Sequence, residues 1–217
     1  MAEVSASMVK ELREKTGAGL MDCKKALGET AGDFVKAEEW LRKKLGSKLA
    51  GKSGRVAAEG LVGTYVHGGR IGVLVEVNCE TDFVARNTDF QDLVKEVAMH
   101  IAAANPQYVT REEVPTEVLE KEKEILREQL KQQGKPEAMW DKILVGKVEK
   151  YYEGVCLVDQ LWVKDDKKKV SEMITDRAGK IGEKVSVRRF VRYEVGAGIE
   201  KKKEDLAAEV AKTLGQA

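Results

Sequence analysis

Between Arg70 and Val77 the apolar residues fall at every second position. Ile71, Val73, Val75 and Val77 alternate with Gly72, Leu74 and Glu76. A period of two puts the first four side chains on one face of a β-strand, and that face must be buried. Upstream, Gly60 to His67 reads as a partner strand, with Gly68-Gly69 as the turn into a second strand from Arg70 to Asn78. The spacing predicts a hairpin. A third strand-like run holds Val185, Val187, Phe190, Val191 and Tyr193 and ends at the turn Gly196-Ala197-Gly198.

Elsewhere the apolar period is helical. The first 45 residues predict three short helices. Ser5 or Ser7 caps the first, which carries Met8, Val9 and Leu12 on one face, and Thr16-Gly17-Ala18-Gly19 stops it. Glycine accepts the terminal conformations that other residues resist. Leu20, Cys23, Lys24 and Leu27 mark the second helix; Gly32-Asp33 opens the third, with Phe34, Ala37, Trp40 and Leu41 at helical spacing. So few apolar side chains make this unit marginal alone, an attachment to a larger body. Residues 46–55, GSKLAGKSGR, read as a basic linker. Their Gly-Lys-Ser resembles a phosphate loop, but the upstream residues are helical and charged where that loop needs a strand.

Asp89 is placed to cap a helix holding Phe90, Leu93, Val94, Val97, Ala98 and Ile101, ending near Asn105-Pro106. Residues 115–160 differ. Leu119, Ile125, Leu126 and Leu130 make a thin stripe on a highly charged helix, and Gly134-Lys135-Pro136 is a stop and restart. Met139, Ile143, Leu144, Val148, Tyr151, Tyr152 and Val155 supply a second stripe, predicting a protruding antiparallel helical hairpin. Glu204 to Leu214 predicts a last helix. DLAAEVA at 205–211 echoes DLVKEVA at 92–98 in five positions, each following a strand by a similar distance. The expected class is α+β: an antiparallel sheet with flanking helices, an N-terminal three-helix module and the hairpin arm. The expected division is 1–45 module, 46–55 linker, 56–114 core hairpin and helix, 115–160 arm, and 161–217 closing strands and C-terminal helix of the core.

Composition narrows the function. The 217 residues are 42% hydrophobic and 35% charged, a globular composition rich in charge. A net charge of +1 argues against simple electrostatic binding of nucleic acid. Cys23, Cys79 and Cys156 have neither disulfide-framework nor metal spacing and read as reduced thiols in a cytosol-like compartment. No signal-peptide core and no apolar run of membrane-spanning length occurs, so no membrane partner is expected.

Catalytic constellations are missing from the pattern. His67 and His100, the two histidines, lack partners at ligand or triad spacing and read as surface or boundary residues. Arg188, Phe190 and Arg192 alternate with Arg189, Val191 and Tyr193, which splits the arginines between two faces and argues against a continuous nucleic-acid patch. An RNA- or ribosome-associated helper is the alternative function. The joint Asn78 to Val84 stands out instead, where Asp82 and Phe83 lie side by side between a strand and a helix. A function carried there works by pushing on another molecule.

The residues also carry a family resemblance. MVKELREKTGAGLMDCKKAL from Met8 to Leu27, AAEGLV at 57–62, RIGVLVEVNCETDFVARN at 70–87 and GKP at 134–136 resemble bacterial-type elongation factor Ts. The resemblance runs from about Ser5 to Gly198. It implies a non-enzymatic guanine-nucleotide exchange factor, without cofactor or metal, whose partner is the GTPase elongation factor Tu. It implies that the N-terminal module is similar to a ubiquitin-associated domain and meets the GTPase domain through Thr16 to Leu27. Gly17, Leu20, Met21 and Lys24 are the site residues there, with Leu20 and Met21 as apolar anchors. It further implies that Thr81, Asp82, Phe83 and Val84 form the exchange wedge, disturbing the partner's Mg²⁺ and phosphate loop. The single core resembles the short form of the family, and this implies self-association as a homodimer. The implied location is the cytoplasm, or the plastid stroma if a transit peptide has been removed.

Overall fold

The computed structural model describes residues 4–50 and 54–199. The tail helix expected at Glu204 to Leu214, and with it the sequence echo at 205–211, lies outside the described residues.

Three helices open the chain: α1 (Ala6–Thr16), α2 (Leu20–Glu29) and α3 (Phe34–Ala50). Ser5 caps α1, its Oγ accepting from the Met8 N–H at 3.3 Å. Gly17 closes α1 in the left-handed region at φ 68°. Val9, Leu12, Cys23, Ala26, Leu27, Ala37 and Leu41 form a separate small core. Leu20 and Lys24 are not part of it: on α2 the buried stripe is Cys23, Ala26 and Leu27. The third helix continues to Ala50, past residue 46, where the linker was expected to start. Leu45, Lys48, Leu49 and Ala50 all favour helix and outweigh the single Gly46.

The body is a three-stranded antiparallel sheet of order β1-β2-β5, from β1 (Glu59–His67), β2 (Ile71–Cys79) and, later in the chain, β5 (Ser186–Glu194). One face of it is covered by α5 (Thr88–Ala104), which follows the single turn α4 (Asp82–Ala85). Val73, Val75 and Val77 meet Phe90, Leu93, Val94, Val97 and Ile101 in the main core. Gly63 lets α5 lie this close, since a Cβ there would stand 2.2 Å from Val94 Cγ1. Asn87, not Asp89, caps α5: its Oδ1 accepts from the Asp89 N–H at 2.9 Å. The chain leaves helical conformation between α4 and α5 only at Asn87, so Asp89 falls within the first turn, where its charge suits the helix dipole.

The arm is α6 (Thr116–Gln132) and α7 (Trp140–Val155), joined through a 3₁₀ turn at Glu137–Met139. Leu126, Leu130 and Leu144 are its buried contacts. The arm ends earlier than residue 160, because Cys156, Leu157 and Gln160 return into the body and are buried there. At its base Arg111 holds Glu149 and Asp159, with two hydrogen bonds of 2.8–2.9 Å to each carboxylate.

Two elements escaped the apolar-pattern reading: the short hairpin β3 (Leu161–Trp162) and β4 (Asp165–Lys169), and α8 (Val170–Ile181). Val170, Met173, Ile174 and Ala178 bury one face of α8, a helical spacing present in the sequence. The strict alternation expected in β5 is also broken. The β2–β5 register shifts between Glu76 and Val77, leaving Arg188 as an extra residue. A bulge of this kind bends the strand and re-aims side chains. Val187 and Phe190 both pack on the core, while Arg188 and Arg189 are both exposed and face Glu76 at 3.8 and 2.7 Å.

His100 is fully buried rather than at the surface. Its ring approaches Gln160 Oε1 through Nε2 at 3.0 Å and the Val163 N–H through Nδ1 at 3.4 Å. A backbone N–H can only donate, so Nδ1 accepts and Nε2 carries the proton. Burial pushes the ring's pKa below the ordinary histidine value, against a smaller opposing effect from Gln160.

Candidate partner-binding surface

Where β2 leaves the sheet, the chain turns sharply into α4 and then α5. Cys79 is fully buried at the strand end, and its thiol donates to the Thr81 carbonyl at 3.2 Å. Burial, reinforced by the nearby Glu183 carboxylate, raises the Cys79 pKa, which keeps the donor proton in place. Thr81 caps α4, its Oγ1 accepting from the Val84 N–H at 3.4 Å.

A second strand of chain grips this turn. Glu183 follows the end of α8, and its Oε2 accepts from the N–H groups of Glu80 and Thr81, both at 3.0 Å. The Thr81 hydroxyl donates to Glu183 Oε1 at 2.7 Å. In return the Glu80 carboxylate accepts from the Lys184 N–H at 2.7 Å and from Arg55 at 2.9 Å. Each segment thus offers backbone donors to the other's carboxylate. Nothing in the local sequence signals this pairing, because the partners are 102–104 residues apart.

The four residues of the TDFV segment divide into two roles. Thr81 is the cap, and Val84 packs against the main core. Asp82 and Phe83 face outward. Phe83 is 82% exposed, and Asp82 forms a 3.0 Å ion pair with Arg86 one turn on. The Phe83 ring is thus open to contact from outside the chain, on a turn whose ends are fixed.

The N-terminal module exposes apolar side chains as well. Met21 is 73% and Leu20 51% exposed at the start of α2, and Lys24 is exposed one turn further. Gly17 differs from them in kind. It lies against the aliphatic chain of Lys180 on α8, so its part is to let module and body approach. Asp22 is tied to Lys44 of α3 at 2.6 Å, fixing the start of α2. Among the described residues no group of three or more His, Cys, Asp or Glu is placed to hold a metal ion, and no helix is long and apolar enough to cross a membrane.

Exposed apolar residues stand at both candidate sites, Phe83 on α4 and Leu20 and Met21 at the start of α2. A family profile described as elongation factor TS matches residues 7–197. The chain is 81% identical over its whole length, and the whole length of the relative, to elongation factor Ts of Myxococcus xanthus (strain DK1622). It is 63% identical to that of Anaeromyxobacter dehalogenans (strain 2CP-C) across 99% of both chains. Identity is 61% to that of Desulforamulus reducens (strain ATCC BAA-1160 / DSM 100696 / MI-1), across 97% of this chain and 98% of the relative. The chain belongs to the elongation factor Ts family.

Proposed function

We propose that the protein is the guanine-nucleotide exchange factor of elongation factor Tu in translation elongation, acting in the cytoplasm. It binds the GDP-bound GTPase, disturbs the Mg²⁺ and phosphate site, and promotes GDP release so that GTP binds. The carrying observation is Phe83, an exposed ring on a turn anchored at both ends by Thr81 and Val84. Such a factor needs no bond chemistry. It must bind the nucleotide-free GTPase better than the loaded one, and by linkage nucleotide then weakens the factor equally. Phe83 inserts between partner elements, while Asp82 brings a carboxylate that donors on the partner must satisfy once water is excluded. Loss of Mg²⁺ removes the charge that neutralises the bound phosphates. Leu20 and Met21, with Lys24 beside them, give the module its hold on the GTPase domain.

Release of a fluorescent GDP from elongation factor Tu tests this reading. Substoichiometric protein accelerates release if it holds. Unchanged release together with salt-sensitive retention of RNA supports the helper alternative instead. The ion pairs of Arg188 and Arg189 with Glu76 favour exchange over that alternative, since they leave less free positive charge on β5.

We also propose self-association as a homodimer. Val62, Val66, Leu74, Val191 and Tyr193 are exposed on the face of the sheet that α5 does not cover. A second copy buries that face. Sedimentation of the isolated chain distinguishes one copy from two.

A further inference from the structure

Three donors of the exchange turn converge on one carboxylate: the N–H groups of Glu80 and Thr81 and the Thr81 hydroxyl, all within 2.7–3.0 Å of Glu183. We propose that Glu183 is a positioning residue of the exchange reaction, fixing the turn from which Phe83 enters the partner. The inference rests on the exchange reading given above.

The geometry gives Glu183 this leverage through Thr81. A hydroxyl has one proton and two lone pairs. Donation to Glu183 directs the proton away from α4 and leaves a lone pair for the Val84 N–H, the cap that starts the helical turn. Phe83 lies within that turn. Releasing the Thr81 hydroxyl therefore loosens both the entry of the chain and the cap of the four residues that carry the ring. Hydrogen bonds to an ionised acceptor are about twice as strong as neutral ones.

Glu183 is itself fixed to the body. Val170, Met173 and Ile174 seat α8 in the main core, and Gly182 ends the helix in the left-handed conformation at φ 85°. The neighbouring Lys184 N–H is held by Glu80. The wedge thus takes its orientation from α8 as well as from the strand that precedes it. Lys180, on the last turn of the same helix, lies against Gly17 of the module. One short stretch of chain therefore touches both surfaces proposed to meet the partner.

Single-turnover release of mant-GDP from elongation factor Tu, with the factor varied in excess, tests the role. A variant that merely folds poorly has fewer active molecules; this raises the half-saturating concentration and leaves the saturated rate kmax unchanged. A misplaced wedge lowers kmax. Glu183→Ala is expected to lower kmax roughly tenfold or more, as small misplacements do at reacting sites. Glu183→Gln keeps an acceptor oxygen for the two N–H groups but sets its NH2 against the Thr81 hydroxyl, so its kmax is also expected below wild type. A kmax for Glu183→Ala within twofold of wild type overturns the proposal. So does a loss confined to the half-saturating concentration. Wild type and Phe83→Ala run beside them separate this failure from failure of the exchange reading. If wild type does not accelerate release, the exchange reading itself fails.

Discussion

The side chain of Lys180 lies over the α-carbon of Gly17, so close that a Cβ on Gly17 would stand 2.9 Å from Lys180 Cε. This contact joins α8 of the body to the turn that presents Leu20 and Met21. Gly17 also holds φ at 68°, where an L side chain is strained. The flexible lysine can move aside, but the backbone cannot. Gly17→Ala is therefore expected to destabilise the fold by about 1–2 kcal/mol, the usual penalty of that conformation. Adding Lys180→Ala restores little of it. Urea unfolding of the single and double variants checks both statements.

The base of the arm depends on the fork of Arg111. Its guanidinium serves Glu149 and Asp159 and stacks 4.8 Å from the Tyr152 ring centre. Its hydrogen bonds to Asp159 and then Glu149 raise its pKa above the ordinary arginine value, so the charge is permanent. Lysine cannot reproduce two bidentate contacts and a stacked plane. Arg111→Lys is expected to lower stability by about 1–2 kcal/mol, in the range of hydrogen bonds to charged groups reduced by partial exposure. Hydrogen exchange is expected to show faster opening at the start of α6 and the end of α7.

Acid should destabilise the protein through His100. In the unfolded chain the ring takes a proton near pH 6.5, while the buried ring resists protonation. The unfolded state then binds more protons, so stability is fully present above about pH 6.5 and is lost as pH falls toward the lower folded value. The slope for one such group is at most about 1.4 kcal/mol per pH unit. Denaturation midpoints measured from pH 8 to pH 5 should fall more steeply for wild type than for His100→Gln.

The parts of the fold legible in the sequence are those whose period matches their burial. Val73, Val75 and Val77 alternate and line the core, and Leu12, Cys23 and Leu27 keep helical spacing in the module. β5 was legible as a strand but not in its facing, because the bulge at Arg188 depends on pairing with Glu76 and Val77. The placement of His100 was hidden for a similar reason. Its partners Gln160 and Val163 lie 60 and 63 residues away. Asp82 and Phe83 stood out as an acidic and aromatic pair at a joint. Their support by Glu183 could not be read from the chain, since a surface glutamate after a helix and one holding three donors look alike in sequence.

We propose that Phe83, held outward on a fixed turn, drives nucleotide release, with Asp82 contributing mainly to its placement. Burying a ring of this size is worth about 1.5–3 kcal/mol. The most direct measurement is GDP release from elongation factor Tu at saturating factor, comparing wild type with Phe83→Ala and Asp82→Ala. The expected result is a loss of about tenfold or more for Phe83→Ala, since each 1.4 kcal/mol is a factor of ten, and a smaller loss for Asp82→Ala. Near-normal GDP release by both variants would contradict it.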